Sequence, residues 1–225
     1  MDEHDIVGYY PEFRLPSWFE ETSDVRQLLR TLWDRRYKGV DEEEDGPTPW
    51  SVQEAYATLI NVLWGMGDVV GYQRCIFLGW GLALACAPTI ARWAPMDPMP
   101  QRVLDAVPPR LRKPVGVLSR NWSPLFPHLQ VGTQYQELDE ARLAFRAFTQ
   151  LLDDRNQARP ALVEMLGHCM EGMAINEGGD GRRDLWNWVL IEVTPAAWSL
   201  RLPDFIWTWP QPPHPAAERR PKAFS

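Results

Sequence analysis

The stretch DVVGYQRCIFLGWGLALACAPTIARW, residues 68–93, decides the fold of this 225-residue chain. A helix drawn through it is apolar on nearly all sides, and such a helix lies at the centre of a fold. Its uncharged portion, Cys75–Ala91, has 17 residues and reaches the lower limit of about 17 for a membrane-spanning helix. Gly79, Gly81 and Pro88, with a mean hydropathy of −0.35 for the chain, favour a buried core helix instead.

Apolar residues at helical spacing predict further helices on both sides of this segment. The pair Ser51 and Glu54 has the capping-box spacing that marks a helix start, and Pro195 is expected to kink the last helix. The predicted helices cover about 23–36, 51–64, 98–107, 138–152, 162–176 and 182–200. The sequence therefore predicts an all-α fold, an orthogonal or layered bundle of about six to seven helices with irregular aromatic, Pro-rich terminal arms.

Proline and glycine mark the breaks between the predicted helices. The loop Glu177–Gly181 is expected to separate the last two helices, and five prolines between 108 and 136 predict an extended crossing segment. We expect one helical domain over 1–209 and a flexible Pro-rich tail over 210–225. Within the domain, residues 23–107 and 137–200 could form two sub-layers joined by 108–136.

Acidic residues are concentrated near the start of the chain. Residues 1–50 carry 13 acidic and 6 basic side chains, whereas residues 51–225 carry 17 of each, so the net charge of −7 arises in the first fifth. Nucleic-acid phosphates repel such a chain, which argues against nucleic-acid binding. The densest run, near Trp50, is expected to contact a basic partner or to form a solvated loop. It consists of Asp41, Glu42, Glu43, Glu44 and Asp45.

The cysteines indicate a reducing compartment. Cys75, Cys86 and Cys169 are scattered, and the absence of a Cys-x-x-Cys pair argues against a zinc ribbon or a disulfide scaffold. They fit reduced, buried thiols.

The acidic start Met1–Asp5 lacks the basic and apolar segments of a signal peptide. We therefore expect a cytoplasmic protein with no membrane partner.

One group of residues could bind a metal ion. Glu164, His168 and Glu171 are spaced by four and three residues, which brings their side chains to one helix face where a hard divalent cation could use them. The same face lies opposite the apolar stripe of that helix, so a solvated polar stripe is the simpler interpretation. No nucleophile elbow or phosphate-binding loop is present, and no catalytic residue or cofactor is predicted.

Twelve tryptophans point to a large aromatic core and to a binding surface. Six of them are expected to anchor the core because they fall in predicted helices: Trp33, Trp64, Trp80, Trp93, Trp186 and Trp198. Four others lie in irregular, Pro-flanked stretches, where we expect exposure: Trp18, Trp122, Trp207 and Trp209. Exposed tryptophan beside acidic groups is typical of a protein-binding surface.

A segment of about 25 residues, 83–106, resembles the helix–turn–helix core of α-helical immunity proteins from bacterial polymorphic toxin systems. In that group a small-residue helix with an Ala–Cys–Ala step leads through a Pro-Asp turn into an Ala-rich helix. The matching residues are Ala83–Ala87, Ile90, Pro95–Pro100 and Leu104–Ala106. The resemblance implies a cytoplasmic protein that binds and neutralises a toxin made by the same cell.

These observations favour a non-enzymatic binding protein that neutralises a basic toxin domain, with Asp41–Asp45 and Trp50 as a contact region. One alternative is a metal-dependent helical enzyme that uses Glu164, His168 and Glu171. Another is a structural subunit that self-associates through exposed tryptophans.

Overall fold

A computed structural model describes residues 12–19, 23–34, 52–111 and 132–201, and the regular structure within these ranges is helical. The helices are α1 (Ser23–Asp34), α2 (Val52–Trp64), α3 (Val69–Trp93), α4 (Met99–Ala106), α5 (Pro108–Leu111), α6 (Gln136–Asp153), α7 (Ala158–Trp188) and α8 (Thr194–Trp198). No strand occurs in the described ranges. The predicted all-α bundle is confirmed.

Helix α3 lies at the centre of the bundle, as the apolar stretch predicts. Asp68 caps its first turn, where the carboxylate accepts a hydrogen bond of 2.8 Å from the Gly71 amide. From Gly71 to Ala83 every residue except Arg74 is buried. Helices α2, α6, α7 and α8 all pack against α3, and their buried residues form one hydrophobic core.

Helix α3 is long and apolar enough to cross a membrane by length and composition alone. Within its most apolar 18-residue window, 67% of the residues are buried inside the protein. The core helix of a soluble protein has this character, because its apolar faces are covered by other helices rather than by lipid. The fold is therefore compatible with a soluble protein.

Helices α6 and α7 form the most extensive helix pair. The single 3-10 turn Arg155–Gln157 reverses the chain between them, and Asp154 caps this turn by accepting a 2.8 Å bond from the Asn156 amide. Phe145 and Phe148, on the inner face of α6, are fully buried. The strict three- and four-residue spacing of the apolar side chains in α6 predicts this face correctly.

The predicted break between two helices at Glu177–Gly181 is present, but it is a kink at one residue and not a loop. Helix α7 continues through this region and is interrupted only at Gly178, whose φ of 73° and ψ of −161° are non-helical. Glycine adopts a positive φ without the steric cost that a side chain brings, so one residue makes a kink where the sequence suggests a loop.

A π-helical turn, Val189–Val193, joins α7 to α8 at the position where a kink is predicted. Pro195 has no N–H to donate to the carbonyl of Ile191, so the regular hydrogen-bond ladder cannot continue there. The amide of Thr194 bonds instead to Val189, five residues back, and the helix widens without leaving the core.

The segment 108–136 is only partly described. Residues Pro108–Leu111 form the short helix α5 rather than the extended chain predicted for them, and residues 112–131 lie outside the described ranges. Proline is tolerated in a first helical turn, where its missing N–H has no partner to lose. The predicted arm is irregular over residues 12–19 and packs on the body, with Phe19 fully buried.

The fold predicts opposite effects for two glycine-to-alanine substitutions. A Cβ atom at Gly79 would lie 2.8 Å from Cδ2 of Phe148, so this fully buried ring would have to shift within the packed core. We expect Gly79→Ala to lower the free energy of unfolding by about 1–3 kcal/mol. At Gly167 a Cβ atom would meet nothing within 4 Å. Gly167→Ala is expected to raise the free energy of unfolding by about 0.4–1 kcal/mol. Urea unfolding of both variants measures this difference, and equal effects would contradict the close α3–α6 packing.

Candidate functional site

The predicted contact region lies outside the described residues. Asp41, Glu42, Glu43, Glu44, Asp45 and Trp50 all precede the described start of α2 at Val52. Trp122, Trp207 and Trp209 also fall outside the described ranges. In the described surface, two other features could bind a metal ion or a partner: the polar face of α7 and the turn between α2 and α3.

Part of the predicted metal-binding group does come together on α7. His168 Nδ1 lies 2.8 Å from Oε2 of Glu140 on α6, and His168 Nε2 lies 3.7 Å from Oε1 of Glu164. The side chains of His168 and Glu140 are 24% and 17% exposed, whereas Glu164 is 48% exposed. His168 therefore makes a close contact with Glu140 of α6 and only a longer contact with Glu164 of its own helix.

The third member, Glu171, has a different partner. Its Oε2 lies 2.8 Å from a terminal nitrogen of Arg182, which follows the Gly178 kink. Across the described part of the chain, no group of three or more His, Cys, Asp or Glu side chains is arranged to hold a metal ion. The spacing of residues along α7 predicts neither Glu140 nor Arg182 as a partner. Glu140 lies on another helix, and Arg182 lies beyond the kink at Gly178.

Among the described residues, the most exposed large apolar side chain is Met66, which lies at the α2–α3 corner, defined as residues 65–70. Met66 is 99% exposed, and Val69 and Val70 are 39% and 40% exposed. These three side chains lie within five consecutive residues, whereas exposed apolar residues on a protein surface are usually scattered. The sequence predicts a turn here from Gly65 and Gly67 but does not reveal that Met66 is left uncovered.

Hydrogen bonds between two turns hold the α2–α3 corner in place. Gly65 and Gly67 both have positive φ, and the Gly67 amide donates to the Trp64 carbonyl over 2.9 Å. From the turn between α6 and α7, Arg155 donates to the Gly67 carbonyl and lies over the Trp64 ring. One turn further, Arg159 donates to the side chain of Asn61 over 3.1 Å.

The first turn of α3 joins the corner to the end of α6. A Cβ atom at Gly71 would lie 2.0 Å from the Trp64 carbonyl oxygen, so only glycine allows α3 to approach α2 this closely. Next to it, the Tyr72 hydroxyl donates to the Leu151 carbonyl over 2.8 Å. This bond satisfies one of the carbonyls left without a partner at a helix C-terminus.

Acidic and basic groups both lie around the base of the corner. Burial, followed by the charges of Asp153 and Asp154, raises the pKa of Tyr72 to about 12. Asp68 and Asp154 are exposed. The corner therefore combines an apolar tip with a surround of mixed charge, which includes Arg155 and Arg159 as well as Asp68 and Asp154.

The tryptophans follow the sequence expectation only in part. Trp80 and Trp186 are buried in the core as predicted, but Trp93 is 36% exposed and stacks on Tyr135 with ring centroids 4.1 Å apart. Trp93 ends α3, beyond the portion that the other helices cover. Trp188 is fully buried, although it was not among the tryptophans predicted to anchor the core.

Comparison with known proteins adds no relative: no family model matches the chain, and no curated protein or solved structure is detectably similar to it.

Removing the Tyr72 hydroxyl tests the link between the corner and α6. Tyr72→Phe is expected to lower the free energy of unfolding by about 1 kcal/mol at pH 7. Because the pKa of Tyr72 is raised from 10.0 to about 12 in the folded protein, ionisation favours the unfolded chain as the pH rises between these values. The stability advantage of wild type should therefore shrink across that range. Urea unfolding from pH 7 to 12 measures it, and a constant difference would contradict the buried hydrogen bond.

A double-mutant cycle tests the contacts of His168. We expect a coupling free energy of about 1 kcal/mol between His168 and Glu140, because their hydrogen bond is partly buried. The longer, more exposed contact with Glu164 should give less than about 0.5 kcal/mol. Alanine variants of the three residues, singly and in pairs, supply the values by urea unfolding. Stronger coupling to Glu164 than to Glu140 would contradict the interhelical hydrogen bond.

Proposed function

We propose that this protein is a cytoplasmic binding protein that neutralises a cognate toxin by forming a protein–protein complex. The observation that carries the proposal is the α2–α3 corner, where Met66 is fully exposed and Val69 and Val70 are partly exposed. Contiguous exposed apolar side chains are typical of interaction surfaces. Methionine is enriched in such surfaces, because its flexible side chain adapts to the partner.

The fixed geometry of the corner favours binding. Tyr72 donates to a backbone carbonyl at the C-terminal end of α6, and Arg155, in the turn after α6, donates to a backbone carbonyl of the corner. Because these bonds fix the backbone of the corner, docking costs little backbone ordering, and only the Met66 side chain has to adopt a single conformation. An apolar tip on a rigid base is thus well suited to enter a pocket on another protein.

Charge suggests the chemistry of the partner. The chain carries a net charge of −7, and the excess arises in the first 50 residues, which include Asp41–Asp45. Complementary charge raises the association rate with a basic protein and disfavours acidic competitors. Toxin domains that attack nucleic acids are often basic, and the resemblance of residues 83–106 to immunity proteins points the same way.

The test uses the toxin-like product of a neighbouring gene as the probe. Mixed with this protein at micromolar concentration, it should form a complex seen by calorimetry and size-exclusion chromatography, and its toxicity should be suppressed. Met66→Asp should weaken binding at least tenfold, because a carboxylate would be buried in an apolar contact. Neutralising Asp41–Asp45 should slow association and reduce its salt dependence.

Met96→Asp is the matched control, because Met96 is 91% exposed in the turn before α4 and lies outside the corner. It should leave affinity unchanged. No complex at micromolar concentration would contradict the proposal. A concentration-dependent dimer in light scattering, abolished by Met66→Asp alone, would assign the corner to self-association instead.

A further inference from the structure

Two cysteine thiols from different helices meet inside the core. Cys86 on α3 and Cys169 on α7 have their sulfur atoms 3.2 Å apart, and the residues are 4% and 1% exposed. Both are free thiols. Cys75 is also buried, but it lies eleven residues before Cys86 on the same helix, about 16 Å along the axis, and cannot reach the pair.

The geometry of the pair is close to that of a bond. A disulfide has its sulfurs about 2.05 Å apart, so joining these two requires an approach of little more than about 1 Å. The Cys169 thiol otherwise approaches the Leu82 carbonyl at 3.9 Å, which is a weak contact for a sulfur donor.

We propose that Cys86 and Cys169 form a redox-modification site, at which a low-molecular-weight disulfide converts the two thiols into one intramolecular disulfide between α3 and α7. We assign the first attack to Cys86, the thiol with the slightly greater exposure in the folded protein. Burial, and then the hydrogen bond with Cys86, raises the pKa of Cys169 well above its ordinary value, so Cys169 is the resolving thiol.

The reaction is a balanced thiol–disulfide exchange. The Cys86 sulfur attacks one sulfur of the reagent, forms a mixed disulfide and releases the first small thiol, which takes the Cys86 proton. The Cys169 sulfur then attacks the Cys86 sulfur, and the second small thiol leaves with the Cys169 proton. The protein gives up two electrons and two protons, and the reagent is reduced to two thiols.

The expected consequence is a more stable core. The two cysteines are 83 residues apart in sequence, so a bond between them restricts a large loop in the unfolded chain. The oxidised protein should therefore melt roughly 10 °C above the reduced form. Because both thiols are buried, oxidation should be slow and limited by opening of the core.

The experiment exposes the folded protein to oxidised glutathione, followed by alkylation and peptide mapping without reductant. The expected product pairs the peptide containing Cys86 with the one containing Cys169, and leaves Cys75 free to react with the alkylating agent. Cys75→Ala, the matched control, should keep both the crosslink and the rise in melting temperature. Cys86→Ala and Cys169→Ala should lose both, and dithiothreitol should reverse the change in wild type.

Three outcomes would overturn the proposal. The first is a crosslink that includes Cys75, and the second is a stable glutathione adduct that never resolves to a protein disulfide. The third is a folded protein that keeps three free thiols under conditions that oxidise the urea-unfolded chain. Mapping of wild type decides among these outcomes even if an alanine variant fails to fold. None of them depends on whether the protein binds a toxin.

Discussion

The burial of α3 is the constraint on which the rest of the structure depends. A 25-residue helix that is apolar on nearly all sides must be covered on all sides, and α2, α6, α7 and α8 provide that cover. The covering helices come very close where α3 has glycine: Gly79 lets Phe148 of α6 approach, and Gly71 lets the end of α2 approach. In packing this close, the addition of a single methyl group changes the stability of the fold.

Both surface and interior features follow from this central helix. At the N-terminal end, burial begins at Gly71, while Val69 and Val70 remain partly exposed next to Met66, so the corner is an uncovered edge of a rigid core. Deeper in the core, α3 places Cys86 against Cys169 of α7. The interaction surface and the thiol pair that we propose are thus both held in position by α3.

The sequence predicts the local features well and the long-range contacts poorly. The periodicity of α6 and the apolar character of α3 depend on neighbouring residues, so their positions and buried faces can be read directly. The partner of His168 is Glu140, 28 residues away on another helix, and no local pattern encodes that contact. Gly178 reads as part of a loop because its neighbours are also loop formers, yet one positive φ is enough to kink the helix. Met66 is exposed because none of the described helices packs over it, and the residues next to it in sequence do not encode this.

Native-state amide hydrogen exchange tests the central position of α3 most directly. If α3 is the core around which the bundle is built, its amides from Cys75 to Cys86 exchange only when the whole protein unfolds. Their opening free energies should then equal the free energy of unfolding from urea titration and respond to urea with the same slope. Exchange of these amides by local opening, faster than in α6, would contradict the account.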